Sequence, residues 1–310
     1  MNDRLTPSPN EAMSLGAEQA LRLAAGRPDW IGTVRGSELQ ELVPSDPLLD
    51  MLYQGGLDVR SAGVLGKRAT DVSLTLGRDA RALGDWLDDA RLALQAGRTK
   101  FRHRVRQPSR KDRIGALGAL RRLSDLGLIR QGPFQDQRAE YRNYWPFTMS
   151  AERGVRRLVT GEWLTALAAE VVRDQAQRMG VPATVRTLVE LEATADLGGW
   201  RGELDVLVLA EVGGRRRLLW LECKTGAPQH IKCDRLARQQ GALAEVLGRV
   251  GWASEVPEVV VVVPPAIRAS REDAQGRLWG DLAARHIALV DTHQLRGWVK
   301  YVLGGQGGEE

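Results

Sequence analysis

Two apolar segments separated by a glycine pair constrain the fold of this chain more than any other feature. Glu203 to Ala210 (ELDVLVLA) and Arg217 to Lys224 (RLLWLECK) flank Gly213-Gly214. Both are rich in Leu or Val, and paired glycines suit the positive-φ turn of a tight hairpin. The pattern predicts two antiparallel strands. Each carries charge inside an apolar run: Asp205 on the first, Glu222 and Lys224 on the second. Side chains alternate faces along a strand, so Glu222 and Lys224 share one face. The hairpin can bring Asp205 beside them. Three charged groups in a sheet centre are costly unless they pair or hold a metal.

The flanking segments predict an α/β architecture. A helix is expected over Glu152 to Met179, ended by Gly180 and Pro182. Thr184 to Leu191 reads as a strand. After the hairpin come a helix from Gln229 to Gly248 and the run EVVVVV (Glu258 to Val263). That run suits a strand buried on both faces. Helix Arg271 to Ala284, strand His286 to Asp291 and helix Thr292 to Leu303 complete the reading. Residues 151–310 therefore give an αβββαβ mixed sheet with an appended α-β-α. Residues 1–95 read as mostly helical, with helices at Ala17 to Ala25 and Arg78 to Gln95 and a short strand at Asp71 to Leu76. They carry no phosphate-binding loop and no assigned role.

Residues 96–150 concentrate the basic charge. Eleven Lys and Arg lie between Arg98 and Arg130, opposed only by Asp112 and Asp125, on a chain whose total charge is +5. Such a cluster is the electrostatic footprint of a nucleic-acid contact, with Arg102, Arg104, Arg106 and Lys111 as candidates. A solvated face is the alternative, since only 6 of the 44 basic residues are lysine. Leu117, Leu120, Leu123 and Leu128 form a helical stripe stopped by Gly127, and Tyr141, Tyr144, Trp145 and Phe147 follow. Over about 50 residues this loosely resembles a winged helix-turn-helix; a packing module fits equally.

Other classes are excluded. Cys223 and Cys233 are the only cysteines, so a disulfide scaffold and a four-cysteine zinc site are ruled out. No apolar run reaches the roughly 20 residues of a membrane helix. Met1 to Asn10 lacks a secretory pattern. The expectation is a soluble, cytoplasmic protein without a membrane partner.

The charged constellation points to metal-assisted phosphodiester chemistry. Asp205 and Glu222 offer hard oxygens, and the Cys223 carbonyl a third, suited to Mg²⁺ or Mn²⁺. Lys224 can orient a water or neutralise charge on phosphorus. A buried ion cluster that only fixes the sheet is the bland alternative. Asp205 with Glu222-Cys223-Lys224 resembles the PD-(D/E)XK, or restriction-endonuclease-like, nuclease superfamily over residues 155–265. More narrowly, GELDVLVL and LECKTG resemble the nuclease half of CRISPR-ancillary nucleases activated by cyclic oligoadenylate. Gly161-Glu162-Trp163-Leu164 is similar to that family's Gly-x-Trp-Leu helix. The resemblance implies a metal-dependent DNA endonuclease in defence or repair, a homodimer, and a nucleotide or protein activator. Its alternative is a nuclease fold that binds DNA without cutting.

Two departures stand out. The family's glutamate after Trp-Leu is Thr165 here, with Glu162 as a candidate replacement. The family's N-terminal sensing domain has no evident counterpart in residues 1–95. On the helix after Lys224, Gln240 is a candidate for reaching the site, and Lys232, Arg235 and Arg238 for touching phosphates.

Overall fold

The computed structural model describes residues 19–26, 29–42, 46–107, 109–225, 232–252, 257–265 and 280–304. From Ile31 to Gln95 the described elements are β1 (Ile31–Arg35), α1 (Gly36–Leu42), α2 (Pro47–Gln54), β2 (Leu57–Leu65), α3 (Lys67–Arg78) and α4 (Ala80–Gln95). This corrects the strand-poor reading of residues 1–95, because β1 and β2 both join the main sheet. The strand expected at Asp71 to Leu76 is instead part of α3. Ala69, Val72, Ser73 and Leu76 are among its buried positions, a three- and four-residue spacing that only a helix places on one face. The expected helix at Ala17 to Ala25 is seen from residue 19 on.

A smaller unit follows: β3 (Lys100–Arg104), α5 (Arg110–Asp125), β4 (Ile129–Gln131) and β5 (Tyr144–Met149). The strands form an antiparallel sheet in the order β3-β5-β4. Ser109 caps α5, its hydroxyl accepting from the Asp112 amide at 3.1 Å. Phe101 and Phe147 stack at 5.4 Å, and Trp86 of α4 meets Phe147 edge-on. Leu120, Leu123 and Leu128 are fully buried, so the predicted stripe seals this unit onto the rest of the molecule.

The C-terminal half holds α6 (Arg153–Arg157), a π-turn at Leu158–Glu162, α7 (Trp163–Met179), β6 (Ala183–Ala193), β7 (Arg201–Val212), β8 (Arg215–Cys223), α8 (Cys233–Arg249), β9 (Glu258–Val263), β10 (Ile287–Asp291) and α9 (Leu295–Gly304). Most of the helix expected at Arg271 to Ala284, and the first residues of the one expected from Gln229, lie outside the described residues. The seven-stranded sheet runs β1-β2-β6-β7-β8-β9-β10. Its first five strands pair antiparallel, while β9 and β10 are parallel to β8. The fold is therefore α/β with a mixed sheet. A boundary at residue 151 does not divide it, since β2 pairs directly with β6. Gly213 and Gly214 take φ of 57° and 75°, the turn that the sequence implied.

Both faces of the sheet are covered. On β8, Leu219, Leu221 and Cys223 enter one core with α7, while Leu218 and Trp220 enter the other with α8. This alternation breaks at one place. Leu204 and Val206 of β7 should share a face, yet they lie in different cores with Asp205 between them. Leu188 and Val189 on β6 mark the same break, and Leu188 adopts φ of 49°, a left-handed conformation costly for a non-glycine residue. On β2, a Cβ at Gly63 would lie 2.9 Å from Leu188, so glycine is needed there for the strands to close up. The sheet is thus kinked along a line that ends at Asp205.

Candidate active site at a strand fork

The β7–β8 hairpin pairs from Val212 opposite Arg215 down to Val206 opposite Leu221, where its ladder ends. The next residues outward are Asp205 and Glu222. The strands separate here, and side chains take over from main-chain pairing. Asp205 Oδ2 accepts a hydrogen bond from the Cys223 amide at 2.7 Å. Lys224 Nζ lies 3.7 Å from the same oxygen and pairs closely with Glu222 Oε1. It also donates to the Cys223 carbonyl at 3.4 Å. The structure therefore brings Asp205, Glu222, Lys224 and the Cys223 carbonyl together, as the sequence predicted.

The electrostatics are unbalanced. Glu222 is 1% exposed. Its Oε1 receives both Lys224 and Arg235, the latter at 2.9 Å from α8. Its Oε2 is buried and has no hydrogen-bond partner among the described residues. An orphaned buried oxygen of this kind costs about 1–3 kcal/mol. Burial, followed by the nearby Glu222 carboxylate, pushes Asp205 from 3.8 up to about 7, against the opposing pull of Lys224. For Lys224 burial acts downward, but the two carboxylates outweigh it and the net shift is upward. Burial raises the Cys223 thiol well above its usual range, with Asp205 and Glu222 adding to it, so this side chain stays a neutral thiol.

Helices from opposite faces of the sheet complete the site. Thr165 on α7 is buried, and its hydroxyl approaches Asp205 Oδ1 at 3.5 Å. The position without the family's glutamate thus faces the site directly. Glu162 arrives differently. The π-turn at Leu158–Glu162 inserts an irregular step, with non-helical backbone at Gly161, just before α7. Such turns recur at functional sites. Arg157 binds Glu162 Oε1 at 2.7 Å, leaving Glu162 Oε2 buried without a partner among the described residues. Burial first, and then Glu162, raise Glu203, which precedes Asp205 by two residues on β7. Glu162 therefore borders the acidic end of β7, where Glu203 also feels Glu222.

Gln240, the residue expected to reach in from α8, is engaged elsewhere. Gln240 donates to the Pro257 carbonyl at 3.4 Å and takes no part in the site. Gln239 is the buried glutamine, 4% exposed, with Oε1 unpartnered among the described residues. A Cβ at Gly202 would meet its Nε2 at 2.6 Å, which places it against β7 one helical turn beyond Arg235. Arg235 itself belongs to the carboxylate cluster, not to a free phosphate-binding row. Lys232 and Arg238 are exposed, with Arg238 Nε 3.4 Å from the Asp234 carbonyl.

The basic cluster lies on the smaller unit. Arg102, Arg104 and Lys111 are exposed, on β3 and α5, whereas Arg106 lies past β3 and pairs with Asp85 at 3.5 Å. His103 points inward, its Nδ1 2.8 Å from Asp89.

The donor set suits a hard divalent cation. Among the described residues no cluster of three or more His, Cys, Asp or Glu side chains gathers. Two carboxylates and a main-chain carbonyl are nevertheless sufficient for an ion that keeps several waters. The unpartnered Glu222 Oε2 is the oxygen such an ion would use.

No protein-family model and no curated protein matches this chain. Among solved structures it is similar to the crystal structure of protein VC1899 from Vibrio cholerae, at 18% identity and a TM-score of 0.42. The match covers 93% of this chain and 60% of that one, so the chain spans less than two thirds of its length. Among the described residues no helix is long and apolar enough to cross a membrane.

Proposed function

We infer that the protein is a metal-dependent nuclease that hydrolyses phosphodiester bonds of DNA. The observation that carries this reading is the buried, unpartnered Glu222 Oε2 beside Asp205 and Lys224 at the strand fork. In this reading the core of residues 155–265 is restriction-endonuclease-like, and residues 96–150 are a winged-helix-like module that holds DNA.

Asp205, Glu222 and the Cys223 carbonyl would hold Mg²⁺ or Mn²⁺, which supplies an acidified water and charge stabilisation at phosphorus. Lys224 sits within reach of both carboxylates. There it orients a water between them and offsets negative charge gained by the phosphate. Thr165 fixes the Asp205 carboxylate by its hydroxyl. Arg235 draws Glu222 Oε1 away, so that Oε2 is the free ligand.

The test is incubation of the purified protein with plasmid and with single-stranded DNA, in Mg²⁺ or Mn²⁺ and in EDTA. Cleavage that needs the metal and is lost in Asp205→Asn supports the reading. A second reading is favoured by Thr165 and by the cations already on Glu222: a nuclease fold that binds DNA without cutting it. Metal-independent binding with no cleavage in either ion would establish that alternative.

A further inference from the structure

The outer face of the small sheet aligns cations with exposed aromatic surface. Residues directly opposite on antiparallel strands share a face. Lys100, Arg102 and Arg104 of β3 stand opposite Thr148, Pro146 and Tyr144 of β5. The intervening residues, Phe101, His103, Trp145 and Phe147, turn inward to the core. One face therefore carries three cations in a row beside an aromatic ring that is 55% exposed. Among the described residues none of these three cations has a carboxylate partner, nor does Arg121 nearby. By contrast Arg106, Arg110 and Arg122 are each paired with an acid.

At its Lys100 and Arg102 end this face borders a groove, whose lining does not extend to Arg104 and Tyr144. Lys100, Arg102, Arg121 and Arg130 line an open groove of about 870 Å³, with Phe134 among its apolar walls. Asp125 is its one carboxylate. Alternate residues on a strand are about 7 Å apart. That spacing matches the order of the distance between successive phosphates of an extended single strand. A strand within a duplex spaces its phosphates similarly, so the aromatic rings make the distinction: paired bases would leave Tyr144 and Phe134 without a stacking partner. Aromatic rings beside a track of cations are the usual means of holding unpaired bases.

We propose that this sheet face is a binding surface for a single DNA strand, with the backbone along Lys100, Arg102 and Arg104 and bases against Tyr144 and Phe134. The proposal rests on DNA being the protein's partner and adds which form of it this surface takes. It requires no cleavage, so it is tested in EDTA by fluorescence anisotropy of labelled oligodeoxythymidine and of a duplex of equal length.

The single strand should bind about tenfold more tightly or better. Arg102→Ala with Arg104→Ala should weaken that binding at least tenfold and flatten its log K against log salt slope by about 0.7 per lost contact. Tyr144→Ala should weaken the single strand about fivefold or more and leave the duplex unchanged. Tyr144→Phe should restore it, since stacking needs only the ring. Circular dichroism melts confirm that the variants fold. Equal or tighter duplex binding, or wild-type affinity in the Arg102/Arg104 variant, overturns the proposal. DNA cleavage by a protein whose sheet-face variants bind like wild type overturns this inference alone. Strand binding without any cleavage sustains it and removes the nuclease reading instead.

Discussion

Two buried ion clusters sit on the same sheet and differ in how completely their charges are met. Asp46 and Arg186 are both almost wholly buried. Asp46 Oδ1 accepts from the Leu48 and Leu49 amides at the start of α2, and Oδ2 accepts from Arg186 Nε at 2.7 Å. Arg186 also donates to the Val185 carbonyl. Both carboxylate oxygens have partners, which is what a purely structural pair requires. At Asp205, Glu222 and Lys224 one oxygen has none among the described residues, and one carboxyl is held near neutrality by its surroundings. A sheet that can satisfy one buried acid fully has no structural reason to leave the other incomplete. That difference separates a fold determinant from a candidate reaction centre.

Several substitutions sharpen this contrast. The largest effect should fall on activity. Asp205→Asn, Glu222→Gln or Lys224→Ala should each lower cleavage of labelled DNA by about 10³-fold or more, with circular dichroism unchanged. Full cleavage rates in all three would place this cluster in the structural class beside Asp46. Next, Asp46→Ala should act on stability alone. It strands a buried guanidinium and removes a helix cap, a loss of about 3–5 kcal/mol in denaturant unfolding. A native-like midpoint would show that completeness of bonding does not identify structural pairs.

The next effect concerns pH. The folded protein holds the Asp205 proton to about 7, the unfolded chain only to about 3.8. The raised value means that this group's favourable contribution is complete below pH 4 and is lost as pH rises through 7. Asp205→Asn should therefore be more stable than wild type at pH 8, on the order of 4 kcal/mol, and the gap should close toward pH 4. Thermal melts across that range read it directly; a gap that widens toward acid would refute the assignment. Smallest is Glu162→Ala. Bordering β7 but pairing with Arg157, Glu162 should change metal-dependent cleavage by only about threefold. A loss equal to that of Asp205→Asn would move it into the metal-binding set.

Much of this was legible in the sequence because it is local. The Gly213-Gly214 hairpin, the EVVVVV strand and the helices around them follow from periodicity and turn chemistry. The Asp205, Glu222 and Lys224 grouping follows from strand alternation plus one turn. What was not legible depends on distant partners. β2 (LDVRSAGVL) has Ser61 and Gly63 interrupting its apolar run, and it is a strand because β1 and β6 flank it. Asp71 to Leu76 alternates like a strand, but burial of Ala69, Val72 and Leu76 selects the helix. Gln239 and Gln240 both border the Leu236–Leu243 stripe. Only the close approach of α8 to Gly202 decides which turns inward. The kink at Leu188 and Asp205 has no sequence signature, since three strands produce it jointly.

If the site is a metal centre, the free Glu222 oxygen and Asp205 together hold a divalent cation. Titration of Mn²⁺ into the purified protein at pH 8, followed by electron paramagnetic resonance of the free ion, measures this without any substrate. Saturable binding is expected in wild type, with its loss in Asp205→Asn and in Glu222→Gln and weaker binding as pH falls below 7. Identical Mn²⁺ binding by wild type and both variants, or no saturable binding by wild type, would contradict it.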